Sequence, residues 1–124
     1  KKKMWIYPMV LLEGNDLSWY FNHSPWDEWK KSIIEEVKLV DYAFIDGTFY
    51  NGTELNRDMR EIPHPSIEET LQLFSNQPVA ERNKIYFIHI NHTNPILTNK
   101  NGIRDLVEGL GFNIAQRGLK FKLD

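Results

Sequence analysis

Two short, mostly apolar runs constrain the fold of this 124-residue chain more than any other feature. The first covers Val40 to Ile45 and the second Lys84 to Ile90. Runs of this kind are typical of strands that are covered on both faces of a sheet. Each run stops abruptly, the first at Asp46-Gly47 and the second at the polar residues 91–95. We therefore predict two buried strands whose ends carry polar side chains.

Three helices are predicted from capping signals and from the spacing of apolar residues. They cover about residues 25–38, 66–74 and 103–110. The first begins at an N-cap serine followed by proline, and its apolar residues recur at helical spacing. The second begins at a capping box formed by Ser66 and Glu69. Gly111 follows the third helix and is expected to be its C-cap.

The remaining segments complete an alternation of strands and helices. Residues 4–12 and 17–21 are rich in strand-forming residues, and the turn chemistry between them predicts a hairpin. Two further strands are expected near residues 112–115 and 119–123. The polar stretch 50–65 is predicted to be a surface loop. Together these elements indicate a single α/β domain, in which helices pack on a sheet.

Composition excludes several classes of function. With 15 basic and 17 acidic residues intermixed, the chain has no field of one sign that would attract nucleic acid or an anionic membrane. No apolar run approaches the roughly 20 residues that span a bilayer. The chain has no cysteine, so any metal must take His, Asp or Glu ligands. This leaves the compartment open, although the lack of a signal-like apolar segment favours the cytoplasm.

Three polar residues are candidates for chemistry. Asp46 ends the first buried strand, and His89 occupies a position in the second where an apolar residue would be expected. In open α/β folds, polar groups at the carboxyl ends of strands face the ligand crevice. His64, from the long loop, is a third candidate, since a histidine with a carboxylate partner is a common general acid, base or metal ligand. The alternative is structural: Asp46 caps a turn and His89 is a hydrogen-bonded core histidine.

The same residues lie in segments that resemble a known superfamily. Residues 41–49, then His64-Pro65, and then residues 87–97 resemble the metallo-β-lactamase superfamily, and within it the branch that acts in pyrroloquinoline quinone biosynthesis. The resemblance extends from about Trp26 to Leu123, and its most specific part runs from His89 to Leu97. It implies that the chain is the C-terminal half of an αββα four-layer sandwich, with a mixed sheet and about three helices.

The resemblance also implies a reaction. His89 corresponds to the last metal-binding histidine of the superfamily, and zinc or a similar divalent metal would be the ion. Asp46 and His64 correspond to an acidic residue and a loop histidine that act together in proton transfer, with His64 donating to the leaving group. The metal would supply the nucleophilic water, which makes the expected reaction a hydrolysis.

The chain departs from the superfamily in its metal ligands. The first metal motif, two histidines and then Asp-His within six residues, is absent from the sequence. The superfamily's bridging carboxylate is also absent from residues 21–24, at the end of the strand before the first helix. His23 in this stretch is either a substitute ligand or an exposed residue at the helix start, and Asp46 is an alternative ligand. The chain alone would then offer one to three metal contacts, too few for catalytic zinc.

These departures leave two hypotheses for function. The first is a metal-dependent hydrolase represented by a truncated chain, weakly active or inactive alone, with an unknown small-molecule substrate. A lone half would expose one sheet face, so we expect it to self-associate or to pair with the missing N-terminal half. The second is a non-catalytic α/β module that keeps the scaffold without the metal site and binds a partner or small ligand.

Overall fold

The computed structural model describes the backbone of residues 4–6, 10–13 and 16–19, and the complete residues 33–54 and 65–122. Its strands are β1 (Met4–Ile6), β2 (Val10–Glu13), β3 (Asp16–Trp19), β4 (Tyr42–Asp46), β5 (Ile85–Ile88) and β6 (Asn113–Ile114). Its helices are α1 (described over 33–38), α2 (Ile67–Leu73), α3 (Val79–Arg82) and α4 (Ile103–Gly109), and a 3₁₀ turn (Lys100–Gly102) precedes α4.

All six strands form one mixed sheet in the order β3-β2-β1-β4-β5-β6. The strands β1, β4, β5 and β6 run parallel to one another, whereas β2 pairs antiparallel with β1 and with β3. The predicted α/β class and mixed sheet are confirmed. The run 4–12 was expected to be one strand of a hairpin, but it contains both β1 and β2, and the hairpin is formed by β2 and β3.

The core lies on one face of this sheet. Ala43 and Ile45 of β4 alternate with residues of the opposite face, as do Ile85 and Phe87 of β5, and all four are fully buried. The helices α1, α2 and α4 cover this face with Ile33, Val37, Ile67, Leu71 and Val107. Burying one such aliphatic or aromatic side chain contributes about 1.5–3 kcal/mol, so this single face supplies most of the apolar stabilisation in the described part.

The opposite sheet face carries an aromatic cluster. Tyr42 and Phe44 of β4 and Tyr86 of β5 surround the ring of Phe121, whose centroid lies 4.9 to 5.0 Å from each of theirs. The expected strand over 119–123 is wrong for its described residues 119–122, which have no strand structure. These residues cross the sheet face instead of extending the sheet, because Phe121 packs edge-on against three rings. The expected exposed face is thus partly covered.

The ends of two helices follow their predicted capping chemistry. The Ser66 side chain accepts a hydrogen bond from the Glu69 backbone N–H at the start of α2. After α4, Gly111 adopts a φ of +98° and donates its N–H to Glu108, while the N–H of Phe112 bonds the carbonyl of Val107. This pair of bonds is a Schellman motif. The single turn of α3 was not predicted, because it buries none of its side chains.

The predicted helix over 25–38 is confirmed for residues 33–38, and its beginning lies outside the described residues. Within the part of the chain that the structure describes, none of the helices has both the length and the apolar character needed to span a bilayer.

Candidate functional site

Asp46 and His89 lie side by side at the carboxyl ends of two neighbouring parallel strands. Asp46 is the last residue of β4 and is paired with Ile88, the last residue of β5, so His89 follows at the same edge. The Nδ1 atom of His89 is 3.8 Å from Oδ1 of Asp46. The carboxylate is fully buried, whereas the imidazole is 52% exposed. The two residues therefore lie at one rim of the sheet.

The turn after β4 holds the Asp46 carboxylate in place. The Thr48 hydroxyl donates a hydrogen bond of 2.6 Å to Oδ1 of Asp46. The N–H of Gly47 donates to the carbonyl of Ile88 at 2.7 Å, which continues the pairing between the two strands by one residue. A Cβ at Gly47 would lie 2.8 Å from the Ile90 side chain and 2.9 Å from Cβ of Phe87. Only glycine therefore allows the two strand ends to approach this closely.

His89 has a backbone conformation that is rare for its residue type. Its φ is +59°, in the left-handed region that costs a residue with a Cβ about 1–2 kcal/mol. The change of φ ends β5 and interrupts the alternation of side chains along the strand. Strained residues cluster at functional sites, where the surrounding structure maintains them. The sequence located this histidine but gave no signal for its conformation.

A buried asparagine connects the two strand ends. Asn94 is 2% exposed, and its Nδ2 donates to the carbonyls of Gly47, at 2.9 Å, and Thr48, at 3.3 Å. Its Oδ1 accepts from the N–H of Ile96. The loop after β5 is thus tied to the loop after β4. Asn94 lies in the segment that carries the most specific resemblance, yet a single asparagine before a proline gave no reason to assign it this role.

An open cleft of about 550 Å³ adjoins His89. It lies where β5 and β6 end and α4 begins. The residues that line it are Ile88, His89, Ile90, Leu97, Arg104, Ile114, Ala115, Gln116 and Arg117. Sequence reasoning missed both arginines, because they occur singly among ordinary surface residues and only the fold brings them to the same cleft.

Few potential metal donors occur together in the described part of the chain. Among the residues that the structure describes, no three His, Asp or Glu side chains come together in a way that could hold a metal ion. His89 and Asp46 supply two potential donor groups, fewer than the three protein ligands usual for catalytic zinc. Two further candidates, His23 and His64, lie outside the described residues. The described donors alone therefore do not make a complete zinc site.

Comparison with known proteins gives one consistent result. A coenzyme PQQ synthesis protein B from Gluconobacter oxydans is 31% identical over 98 residues, which cover 74% of this chain and 32% of that protein. The chain is similar to coenzyme PQQ synthesis protein B. A relative of the same name from a Methylobacterium species is 30% identical over 93 residues, 68% of this chain and 30% of that protein. The Pseudomonas aeruginosa protein is 26% identical over 102 residues, 75% of this chain and 33% of that protein.

The chain spans about a third of the length of these coenzyme PQQ synthesis B proteins. No family model matches it. The resemblance to the pyrroloquinoline quinone branch, predicted from residues 41–49, 64–65 and 87–97, is confirmed by these relatives. Membership of the metallo-β-lactamase superfamily and the roles of the individual site residues remain predictions.

Proposed function

We propose that the chain is part of a metal-dependent hydrolase of the metallo-β-lactamase superfamily that serves pyrroloquinoline quinone synthesis. The observation that carries the proposal is the 3.8 Å approach of His89 to the buried Asp46 at the carboxyl ends of parallel strands. Polar groups at this edge of an α/β sheet face the ligand crevice. The similarity to coenzyme PQQ synthesis protein B supports the assignment to the same biosynthetic role.

The proposed roles follow from exposure and charge. The half-exposed imidazole of His89 is available as a metal ligand, and His23 is the second histidine assigned to the metal. Asp46 is fully buried and already accepts a hydrogen bond from Thr48, so its carboxylate suits the orientation of a neighbouring histidine. In this proposal His64 donates a proton to the leaving group and Asp46 orients it.

The metal requires ligands beyond the described donors. A divalent ion, zinc in this proposal, would supply the nucleophilic water and polarise the scissile group. Because His89 and Asp46 provide two donors at most, we assign the remaining ligands to His23 and to the part of the relatives that this chain does not match. The chain alone is then expected to bind metal weakly and to hydrolyse substrates slowly.

The aromatic sheet face suggests where that further part would pack. Tyr42 and Tyr86 remain half-buried around Phe121, on the face opposite the helices. In a four-layer sandwich, this is the face that meets the second sheet. We propose that either the remaining part of the longer protein or a second copy of this chain covers it, as expected for a partly uncovered apolar surface.

Zinc titration of the purified 124-residue chain tests the assignment. Binding is expected to weaken at least tenfold in His89→Ala and to remain unchanged in His92→Ala, an exposed histidine of the following loop. Hydrolysis of bis(p-nitrophenyl) phosphate and of a chromogenic lactam is then compared with and without zinc. Equal zinc affinity in the wild type and His89→Ala would exclude the metal role of His89.

The second candidate, a non-catalytic α/β binding module, is favoured by the shortage of metal donors among the described residues. It predicts that zinc neither binds the chain in stoichiometric amounts nor raises its melting temperature. Thermal denaturation with and without zinc distinguishes the two, because a ligand that binds only the folded state stabilises it.

A further inference from the structure

The cleft beside His89 combines an apolar lining with two cationic side chains. Ile88, Ile90, Leu97 and Ile114 supply most of the apolar surface. Arg104 and Arg117 contribute guanidinium groups, and none of the described residues that line the cleft carries a carboxylate. Such a lining favours a ligand with an apolar body and negative charge, because apolar contact supplies burial while charged groups fix orientation.

Arg104 is oriented by the fold and has no carboxylate partner among the residues that the structure describes. Its Nη2 donates to the carbonyl of Leu97 at 3.0 Å, and its backbone N–H is held by Oδ1 of Asn99 at 2.9 Å. Its buried Nε has no hydrogen-bond partner among the residues described. The Leu97 carbonyl is a neutral acceptor, so its bond positions the guanidinium without neutralising it. A fixed, uncompensated guanidinium at a cleft is suited to binding an oxyanion.

Arg117 adds a second charge from another segment. It follows β6 and is exposed, and within the described part of the chain neither it nor Arg104 forms an ion pair with a carboxylate. Two like charges at one cleft repel each other, and an anion between them would relieve this repulsion. The fold therefore brings together a site in which negative charge is favoured.

We propose that this cleft binds the carboxylate or phosphate group of an anionic ligand through Arg104 and Arg117, with the apolar body of the ligand on Ile90 and Leu97. The inference rests on the proposed function in one respect, since His89 lines the same cleft and would lie beside the bound molecule. It assigns to the hydrolase a substrate class, an oxyanion joined to an apolar group, that neither the sequence nor the comparisons specify.

The test is calorimetric titration of the metal-free chain, prepared by chelation and then dialysis, in low-salt buffer. The probes are benzene-1,3-dicarboxylate and phenyl phosphate, with neutral benzene-1,3-dicarboxamide as the uncharged comparison. We expect one anion to bind with 1:1 stoichiometry and the dicarboxamide not to bind. Arg104→Gln and Arg117→Gln should each weaken anion binding about tenfold or more, as for loss of a charged hydrogen bond. The stronger anion identifies the group as carboxylate or phosphate.

Arg82→Gln is the matched control. Arg82 also donates to a backbone carbonyl and also has a buried Nε without a described partner, but it lies in α3, before β5 rather than after it. Its substitution should leave anion affinity unchanged. If Arg104→Gln fails to fold, because the bond to Leu97 is lost, the exposed Arg117→Gln still provides the test. No binding of either anion, equal binding of the dicarboxamide, or unchanged affinity in Arg117→Gln overturns the proposal.

This experiment separates the inference from the proposed hydrolase. Anion affinity is measured without metal and without turnover, so arginine-dependent binding supports the cleft even if zinc binding and hydrolysis are absent. Conversely, His89-dependent zinc binding together with unchanged anion affinity in the arginine variants supports the hydrolase and rejects the ligand class.

Discussion

Nδ1 of His89 and Oδ1 of Asp46 lie 3.8 Å apart, with the carboxylate sealed from solvent and the imidazole half-exposed. This arrangement keeps one partner fixed and leaves the other accessible. A buried charge is costly unless it is hydrogen-bonded, so Thr48, which bonds the Asp46 carboxylate, is as important to the site as the pair itself.

The first prediction concerns the hydrogen bond from Thr48 to Asp46. Thr48→Val removes the donor at 2.6 Å from the buried carboxylate. The free energy of unfolding at neutral pH should fall by about 1–3 kcal/mol, because a buried charged group loses a partner. Urea denaturation measures the change. Thr53→Val, at an exposed threonine that bonds Asn51, should cost much less. Equal losses at the two positions would contradict a special role for Thr48.

The second prediction uses the left-handed backbone of His89. Both His89→Gly and His89→Ala remove the imidazole, so their difference isolates the backbone strain at φ +59°. The glycine variant should be more stable than the alanine variant by about 1 kcal/mol. At His92, which is not among the positive-φ residues, the order should reverse. Chemical denaturation of the four variants gives both differences. An alanine variant that is more stable than the glycine variant at both sites would show that the backbone of His89 is not strained.

The third prediction concerns the close approach of the two strand ends at Gly47. Gly47→Ala places a Cβ within 2.9 Å of two side chains, so we expect a loss of about 1–3 kcal/mol from overpacking. The substitution should also weaken zinc binding by moving Asp46 away from His89. Gly109→Ala, in a helix with nothing within 4 Å of the new Cβ, should be neutral or stabilising. Thermal melts and zinc titrations test both variants. An unchanged melting temperature in Gly47→Ala would contradict the prediction.

The fourth prediction tests the asparagine that joins the loops. Asn94→Asp replaces the amide that donates to the Gly47 and Thr48 carbonyls with a carboxylate that cannot donate when ionised. The loss at neutral pH should be about 2 kcal/mol or more. Asn113→Asp also removes two bonds to carbonyls, but at a half-exposed position where water can replace them, so its cost should be smaller. Denaturation midpoints of the two variants provide the comparison.

The fifth prediction is a pH dependence that originates in Tyr50. Burial raises the pKa of the Tyr50 phenol above its ordinary value, and the nearby Glu68 carboxylate raises it further. Because the folded pKa exceeds the unfolded one, the stabilisation is complete below about pH 10 and is lost as pH rises through the folded pKa. Between pH 7 and pH values above about 10, the free energy of unfolding should therefore fall less in Tyr50→Phe than in the wild type. Glu68→Gln should have a smaller effect in the same direction. If plots of unfolding free energy against pH run parallel for the wild type and Tyr50→Phe, Tyr50 does not cause the pH dependence.

Local patterns in the sequence were sufficient for several elements. The apolar runs predicted β4 and β5 to within two residues at each end, and capping chemistry located the start of α2 at Ser66 and the end of α4 at Gly111. These features depend on residues within one or two turns of each other, so the sequence carries them directly. Asp46 and His89 were also recognisable, since polar side chains at the ends of buried strands are costly without a role.

The sequence was insufficient where distant segments meet. It predicted a strand over 119–123, because the spacing of apolar residues cannot distinguish a strand from a segment that lays Phe121 across three aromatic rings. The strand preference of a residue depends on its packing neighbours, which only the fold supplies.

By itself, then, the sequence determined an α/β chain with two buried strands that end in polar side chains. Only the tertiary structure decided that these ends share one edge, that His89 adopts a left-handed conformation, and that Arg104 and Arg117 line one cleft. The physical reason is that strand register and loop packing are set by contacts between residues far apart in the chain. No local pattern of residues encodes such contacts.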